Sequence, residues 1–165
     1  MAQQQPPDGS ALCLACGLCC EGVLHTHAIV IPPDARRLRA LGLKVEPFGN
    51  HNGFRLPCPL YQEHRCSVYP PRLHACQSYR CEVLNQYLAG SLNLAEGQAL
   101  VEGARVLLAD PALATGQPFE QVRLTVREAE GRAGLLSTPE ALAAHLAQQL
   151  AVERLERYLD RHFKR

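Results

Sequence analysis

Apolar residues in the first half of the chain occur in short runs that proline and glycine interrupt. The run His27–Ile31 is rich in β-branched residues and predicts a buried strand. Two prolines and Asp34 follow it, which stop the strand and predict a helix over about 34–41 that ends at Gly42. We therefore expect a strand followed directly by a short helix.

Two other segments of this half have weaker patterns. Residues 44–57 predict strand and turn, with Asn52-Gly53 as the hairpin turn between segments 45–48 and 54–56. Residues 11–24 have a loop-like composition with two glycines, in which the backbone can wrap an ion.

The second half of the chain carries longer helical patterns. A helix is expected from Cys81 through Leu88, closed by Gly90, and another over 91–109, where two glycines weaken it. The segment Phe119–Arg127 alternates apolar and polar residues, which predicts a half-buried strand.

The strongest helical pattern covers about residues 138–163. It opens with Ser137-Thr-Pro-Glu140, a capping-box sequence with proline early in the first turn. Five leucines then recur at helical spacing, and such a stripe is typical of a core or docking face: Leu142, Leu146, Leu150, Leu155 and Leu159.

Length and charge restrict the class of protein. The 165 residues fit one domain. Seventeen Lys and Arg against sixteen Asp and Glu leave a net charge of +1, so we expect no nucleic-acid partner, since such binders normally carry a basic face. No apolar run approaches the ~18 residues of a membrane span and no secretory signal is visible, so we expect a cytoplasmic protein without a membrane partner.

Eight cysteines distinguish this otherwise ordinary composition. Four lie within residues 13–20, four within 58–81, and none in the final 84 residues. Cytoplasmic thiols stay reduced, so clustered cysteines hold metal more often than they form disulfides. A disulfide framework and a set of buried structural thiols are the alternatives, and metal binding is the leading interpretation.

The first cluster reads Cys13-x-x-Cys16-x-x-Cys19-Cys20. Each CxxC step brings two sulfurs to the same side, and two overlapping steps present three sulfurs, as in the CxxCxxC run of bacterial ferredoxins. Adjacent cysteines chelate one tetrahedral ion awkwardly. We therefore expect Cys19 and Cys20 to serve different metals, or one of them to be a spare thiol.

The second cluster is looser, with seven, nine and four residues between Cys58, Cys66, Cys76 and Cys81. It lacks the paired knuckles of a zinc ribbon, so we expect the two clusters to fold onto each other. Eight thiolates then make two four-sulfur sites, or one polynuclear centre with some thiols to spare. An all-thiolate set suits zinc and iron–sulfur centres alike.

Other side chains near the cysteines are weaker candidates. Imidazole can replace a thiolate ligand, but eight thiols already suffice; the histidines concerned are His25, His27, His64 and His74. Tyr69 and Arg72 can donate to cluster sulfurs or to an anionic substrate, although such residues more often shape a proline-rich turn.

The order of these motifs resembles the YkgJ-like cysteine-cluster family over about residues 11–85. The residues that carry the resemblance are Cys13-x-x-Cys16-Gly-x-Cys19-Cys20, Cys58-Pro-Leu, Cys66-Ser-Val-Tyr69, Arg72 and Cys76-x-x-Tyr79-x-Cys81. The resemblance implies a domain that chelates zinc or iron. The motif is also similar to one in flagellin lysine N-methylases, where it is thought to carry an iron–sulfur cluster.

These observations predict an α+β fold, with a small irregular cysteine-rich core of short strands and a helical C-terminal extension. We expect a mobile tail over 1–10, the metal-chelating domain over 11–90, and the extension, packed on it, over 91–165. The predicted zinc or iron–sulfur ligands are the eight cysteines: Cys13, Cys16, Cys19, Cys20, Cys58, Cys66, Cys76 and Cys81.

Two other functions are alternatives to simple metal binding. One is an iron–sulfur-dependent enzyme of group transfer or redox chemistry, by analogy with the flagellin methylases. The other is a zinc-stabilised interaction module that presents the 138–163 helix to a partner. The sequence contains no Ser/His/Asp triad, phosphate-binding glycine loop or paired-carboxylate site, so no catalytic residue is named.

Overall fold

The computed structural model describes residues 9–68, 73–130 and 138–164. The fold is α+β, as predicted, with most of the secondary structure helical. The helices are α1 (Ser10–Cys16), α2 (Pro32–Ala40), α3 (His74–Ser78), α4 (Glu82–Leu88), α5 (Leu94–Leu108), α6 (Phe119–Glu130) and α7 (Pro139–His162), with a 3₁₀ turn at Pro111–Leu113. The strands are β1 (His27–Val30), β2 (Glu46–Phe48), β3 (His51–Arg55), β4 (Tyr61–Gln62) and β5 (Arg65–Cys66).

A three-stranded antiparallel sheet has the order β1-β3-β2. The strand predicted over 27–31 is present as β1, which pairs with β3 so that Val30 lies opposite Asn52. Because β1 is an edge strand with one face toward the core, Val30 is buried while Ile29 is 54% exposed. The expectation of a buried strand was therefore wrong for Ile29, and of the four residues of β1 only Val30 is fully buried.

The hairpin turn between β2 and β3 lies at Gly49-Asn50, so the prediction of Asn52-Gly53 was wrong. Both dipeptides suit a two-residue turn, and tertiary packing selects between them. In the observed register Phe54 enters the core, and Gly53 lies where a Cβ would come within 2.7 Å of the Ala28 carbonyl oxygen. Gly53 serves close strand packing rather than the turn.

The segment predicted as a strand over 119–127 is the helix α6, and that prediction was wrong. Phe119, Val122 and Val126 are buried at spacings of three and four residues, whereas Leu124 is 39% exposed. The same apolar positions fit a strand by alternation and a helix by this spacing. The helix is the more stable structure because its apolar side packs in the same core as α7.

The first cysteine segment, expected as loop, begins with α1. Leu12 is buried against the helix α5, which gives this short element the tertiary contact that its local sequence does not provide. The predicted tail over 1–10 lies outside the described residues except for Gly9 and Ser10, and Ser10 opens α1.

Other helical predictions are confirmed. The helix after Cys81 ends at Leu88, with Gly90 at φ +75° closing it. The helix α5 lies within the predicted 91–109, and its capping box joins Asn93 and Glu96.

The long C-terminal helix α7 runs from Pro139 to His162, close to the prediction. Its N-cap is Thr138, whose hydroxyl accepts from the Ala141 N–H at 3.1 Å, whereas Ser137 lies outside the described residues. The leucine stripe divides: Leu155 and Leu159 are buried, and the three leucines before them are 40–53% exposed. Only the C-terminal half of α7 is a core helix.

Two apolar cores flank the cysteines. The helical core contains residues of α1, α4, α5, α6 and α7, and the sheet core contains Val30, Leu38, Leu43, Phe54 and Leu73. Helices from beyond residue 90 therefore share a core with α1. Among the described helices, none combines the length and apolarity needed to cross a membrane.

Candidate metal centre

Local structure sets the direction of the first four cysteines. Cys13 and Cys16 lie three residues apart on α1, and therefore on one face of the helix. The helix ends at Gly17 in the left-handed conformation, with φ +68°. A turn then follows, in which the Gly22 N–H donates to the Cys19 carbonyl at 3.1 Å.

One backbone hydrogen bond joins the two clusters directly. The Cys58 N–H donates to the Cys20 carbonyl at 2.7 Å. Of the remaining cysteines, Cys66 lies in β5, Cys76 in α3, and Cys81 at the N-cap of α4. The two cysteine clusters therefore lie against each other in the described structure, as predicted.

Electrostatic interactions show that four of the thiols lie near one another, and we call these four group A. The pKa of Cys16 is raised to about 12, mainly by burial and in part by the neighbouring Cys81 and Cys13. Burial likewise raises the pKa of Cys19, and repulsion from Cys16 and Cys81 follows, ahead of that from Cys20 and Cys13. Group A is therefore Cys13, Cys16, Cys19 and Cys81.

The other four thiols form group B. Burial raises the pKa of Cys20 to about 12, and the next causes are Cys76, Cys58 and Cys66. The pKa of Cys58 is raised by burial first and then by Cys66. Group B is therefore Cys20, Cys58, Cys66 and Cys76, and it adjoins group A because Cys16 also repels Cys20.

Packing agrees with this division for six of the eight cysteines. All four members of group A pack against the helical core. Cys58 and Cys76 of group B pack against the sheet core. Cys20 joins them through its interactions with Cys76 and Cys58 and through the hydrogen bond from the Cys58 N–H, so the adjacent residues Cys19 and Cys20 fall into different groups.

A cavity of about 600 Å³ separates the two cores at this point. Seven of the eight cysteines line it, Cys66 being the exception. Its other walls are mostly apolar, with His25, His27 and Tyr79 among the polar-tipped side chains. Members of both groups thus line one cavity.

The donor set fits zinc or iron, which both accept four sulfur ligands. All eight cysteines lie in the described ranges, and no disulfide joins any of them. Over those ranges, however, no three His, Cys, Asp or Glu side chains converge closely enough to hold one metal ion. The thiols surround a cavity rather than a point, and the raised pKa values of Cys16 and Cys20 mean that metal binding must displace protons.

Two of the four histidines considered as ligands lie in the cavity, and the other two lie at the surface. His25 and His27 line the cavity, whereas His74 lies exposed at the start of α3. His64 is exposed, with Nδ1 3.5 Å from Glu21. The structure thus places two of the four considered histidines beside the cysteines.

The His27 ring contacts a second imidazole. Its Nε2 lies 3.1 Å from Nε2 of His51, with ring centroids 5.4 Å apart and rings nearly coplanar. An imidazole nitrogen stands about 1.1 Å from its ring centre, so these distances place the two nitrogens head to head on one line. That is the geometry of an N–H···N hydrogen bond and leaves no space for an ion between them.

A polar clamp that sequence patterns missed holds the cysteine loop. Arg105 on α5 donates to Glu21 at 2.6 Å and to the Cys16 carbonyl, and it is hydrogen-bonded to the Tyr61 hydroxyl. Glu21 and Arg105 lie 84 residues apart. No local pattern could have signalled this pair, because only the packing of α5 on α1 brings the two side chains together.

The comparison with known families decides the family of the protein. The model of a family described as "CxxCxxCC: Putative zinc- or iron-chelating domain" matches residues 12–94, about half of the chain. The chain belongs to this family. The predicted resemblance to a cysteine-cluster domain is therefore confirmed, and the CxxCxxCC description supports metal binding by the cysteine-rich half.

No curated protein and no solved structure matches the chain. Two motif residues of the CxxCxxCC segment, Tyr69 and Arg72, lie outside the described residues. The site is accordingly described by the eight cysteines and their neighbours.

Proposed function

We propose that this CxxCxxCC protein binds two metal centres, one in group A and one in group B. The observation that carries the proposal is the division of the cysteines. Core packing places Cys19 with group A, and electrostatic interactions with Cys76, Cys58 and Cys66 place Cys20 with group B, although Cys19 and Cys20 are adjacent in sequence.

Four thiols per group match the four sulfur ligands of a tetrahedral zinc site or of an iron–sulfur cluster. Each group joins a part of the CxxCxxCC run to distant cysteines, so a bound metal would tie α1 and its turn to the second cluster. Metal binding would therefore stabilise the fold as well as the site.

The geometry of group A favours an iron–sulfur cluster over zinc. Three of its cysteines form a CxxCxxC run and the fourth is distant, while the next cysteine of the run, Cys20, belongs to the other group. In two-cluster bacterial ferredoxins the fourth cysteine of the run likewise ligates the other cluster. Thiols that surround a cavity of about 600 Å³ without converging on a point also suit a polynuclear centre better than a single ion.

Metal analysis of the full chain, purified without oxygen, tests the proposal. We expect iron and acid-labile sulfide with visible absorption, in an amount that corresponds to two centres per chain. A colourless protein with two zinc ions would keep the two-site proposal and overturn the iron–sulfur assignment. A folded protein without metal would overturn both.

Two adjacent substitutions provide matched variants. We expect Cys19→Ser to lose the centre of group A alone, and Cys20→Ser to lose that of group B alone. Cys81→Ser should then reproduce the first result and Cys58→Ser the second, despite their distance along the chain. If Cys19→Ser and Cys58→Ser lose the same centre, the division into these groups is wrong.

A further inference from the structure

His25 carries a buried nitrogen that no group among the described residues satisfies. Its Nε2 is shielded from solvent and has no hydrogen-bond partner there. Buried polar atoms in folded proteins nearly always have a partner, and an exception calls for one from outside the chain, such as an ordered water, an ion or a ligand. Because His25 lines the cysteine cavity, the occupant of that cavity can provide this partner.

The contacts of the ring place it beside group A. His25 lies edge-on to Tyr79, with ring centroids 4.2 Å apart. Burial raises the pKa of Tyr79, and the next causes are the charges of Cys19 and Cys81, so this tyrosine adjoins both group A thiols. Tyr79 thus lies between the His25 ring and the group A thiols Cys19 and Cys81.

The imidazole can act as a hydrogen-bond donor, because a ring nitrogen that carries its proton donates an N–H. Metal-bound thiolate sulfur is negative and accepts hydrogen bonds, and the four thiols of group A already fill the four ligand positions of a tetrahedral site.

We propose that His25 donates its Nε2–H to a metal-bound sulfur of group A. This proposal rests on the proposed function, since it requires a metal in group A. His25 is then a positioning residue that stabilises negative charge on the sulfur and so tunes the centre, without being one of its ligands.

A substituted probe metal tests this role whichever metal is native. The full chain is loaded with Co²⁺, whose sulfur-to-metal charge-transfer band reports on the electron density at sulfur. We expect His25→Phe to bind as much Co²⁺ as the unchanged protein but to shift this band to longer wavelength, because a sulfur without the hydrogen bond gives up its electron more easily. Phenylalanine keeps the ring contact with Tyr79 and removes only the donor.

His74→Phe is the matched control, because it changes an exposed histidine outside the cavity in the same way. It should not move the band. If the protein is isolated with an iron–sulfur cluster, His25→Phe should also lower its reduction potential, while His74→Phe leaves it unchanged.

A measurement on the unchanged protein keeps the test decisive even if His25→Phe does not fold. In protein loaded with ¹¹³Cd²⁺, an N–H···S–Cd hydrogen bond transmits a scalar coupling between the Nε2 proton and the cadmium nucleus. We expect this coupling for His25. Its absence in a protein that holds cadmium in group A would overturn the proposal.

The remaining outcomes separate the two proposals. Loss of one equivalent of Co²⁺ in His25→Phe would make His25 a ligand and overturn the donor role. An unmoved band at full cobalt content would overturn it too. If the unchanged chain itself takes up no Co²⁺ or Cd²⁺ in group A, as judged against Cys19→Ser, the proposed function is what fails.

Discussion

Gly17, at the end of α1, is the position where one added methyl group should most damage the cysteine loop. Its φ of +68° lies in the left-handed region, which costs a residue with a side chain about 1–2 kcal/mol. A Cβ there would also overlap the Tyr61 hydroxyl oxygen and come within 2.9 Å of Arg105 Nη2. Gly17→Ala therefore changes the backbone and the polar clamp together.

The expected loss of stability follows from these two terms. Moving Arg105 weakens its hydrogen bonds to Glu21 and to the Cys16 carbonyl, in which the charged guanidinium takes part. Hydrogen bonds to charged groups contribute about 1.5–3 kcal/mol. Adding this contribution to that of the backbone, we expect Gly17→Ala to lower the free energy of unfolding by roughly 2.5–5 kcal/mol.

Gly42→Ala is the matched control. Gly42 has φ +81° and nothing within 4 Å of the position of a Cβ, so it carries the backbone term alone, about 1–2 kcal/mol. Urea unfolding of both metal-loaded variants, followed by circular dichroism, gives the difference. Metal content measured in parallel should fall for Gly17→Ala only.

The difference in stability between the two variants is the decisive quantity. If Gly17→Ala and Gly42→Ala lose equal stability and keep equal metal, then the contact with Tyr61 and Arg105 does not constrain the loop. In that case the position of Cys16 would have to be set by the helix α1 alone.

Two further predictions concern the register of α6 and the protons of the thiols. Val126→Ala should cost roughly 1.5–3 kcal/mol in urea unfolding because Val126 is 2% exposed, and Leu124→Ala should cost less than about 1 kcal/mol because Leu124 is 39% exposed. Equal losses would instead indicate that this segment is the strand that its alternation suggests. Co²⁺ affinity, measured by competition with a chelator, should rise as pH rises from 6 to 8. The metal binds thiolates, and burial holds the pKa of Cys16 and Cys20 near 12, so protons compete with the metal over this whole range; an affinity that does not change with pH would contradict this.

The sequence by itself determined the features that depend on neighbours along the chain. The start and end of α7 were predictable because Thr138 caps its own helix and proline occupies the first turn. The spacing of Cys13, Cys16 and Cys19 brings sulfurs to one side of the chain whether the backbone is a turn or, as here, partly a helix. The metal-binding class follows from thiol chemistry and spacing, which need no tertiary information.

Tertiary structure decided every question in which two local solutions were nearly equal. Asn52-Gly53 and Gly49-Asn50 both suit a turn, and the packing of Phe54 chose the second. The residues of α6 satisfy both a strand and a helix pattern, and contact with α7 chose the helix.

The division of the cysteines is the clearest case of a feature that the sequence alone left open. The sequence predicts that Cys19 and Cys20 differ in role but does not say which distant cysteines each one joins. The hydrogen bond from Cys58 to the Cys20 carbonyl and the position of Cys81 at the start of α4 make that choice. Pairings over such separations depend on how the two cores pack, and the packing energy comes from buried residues that lie far from either cysteine in the chain.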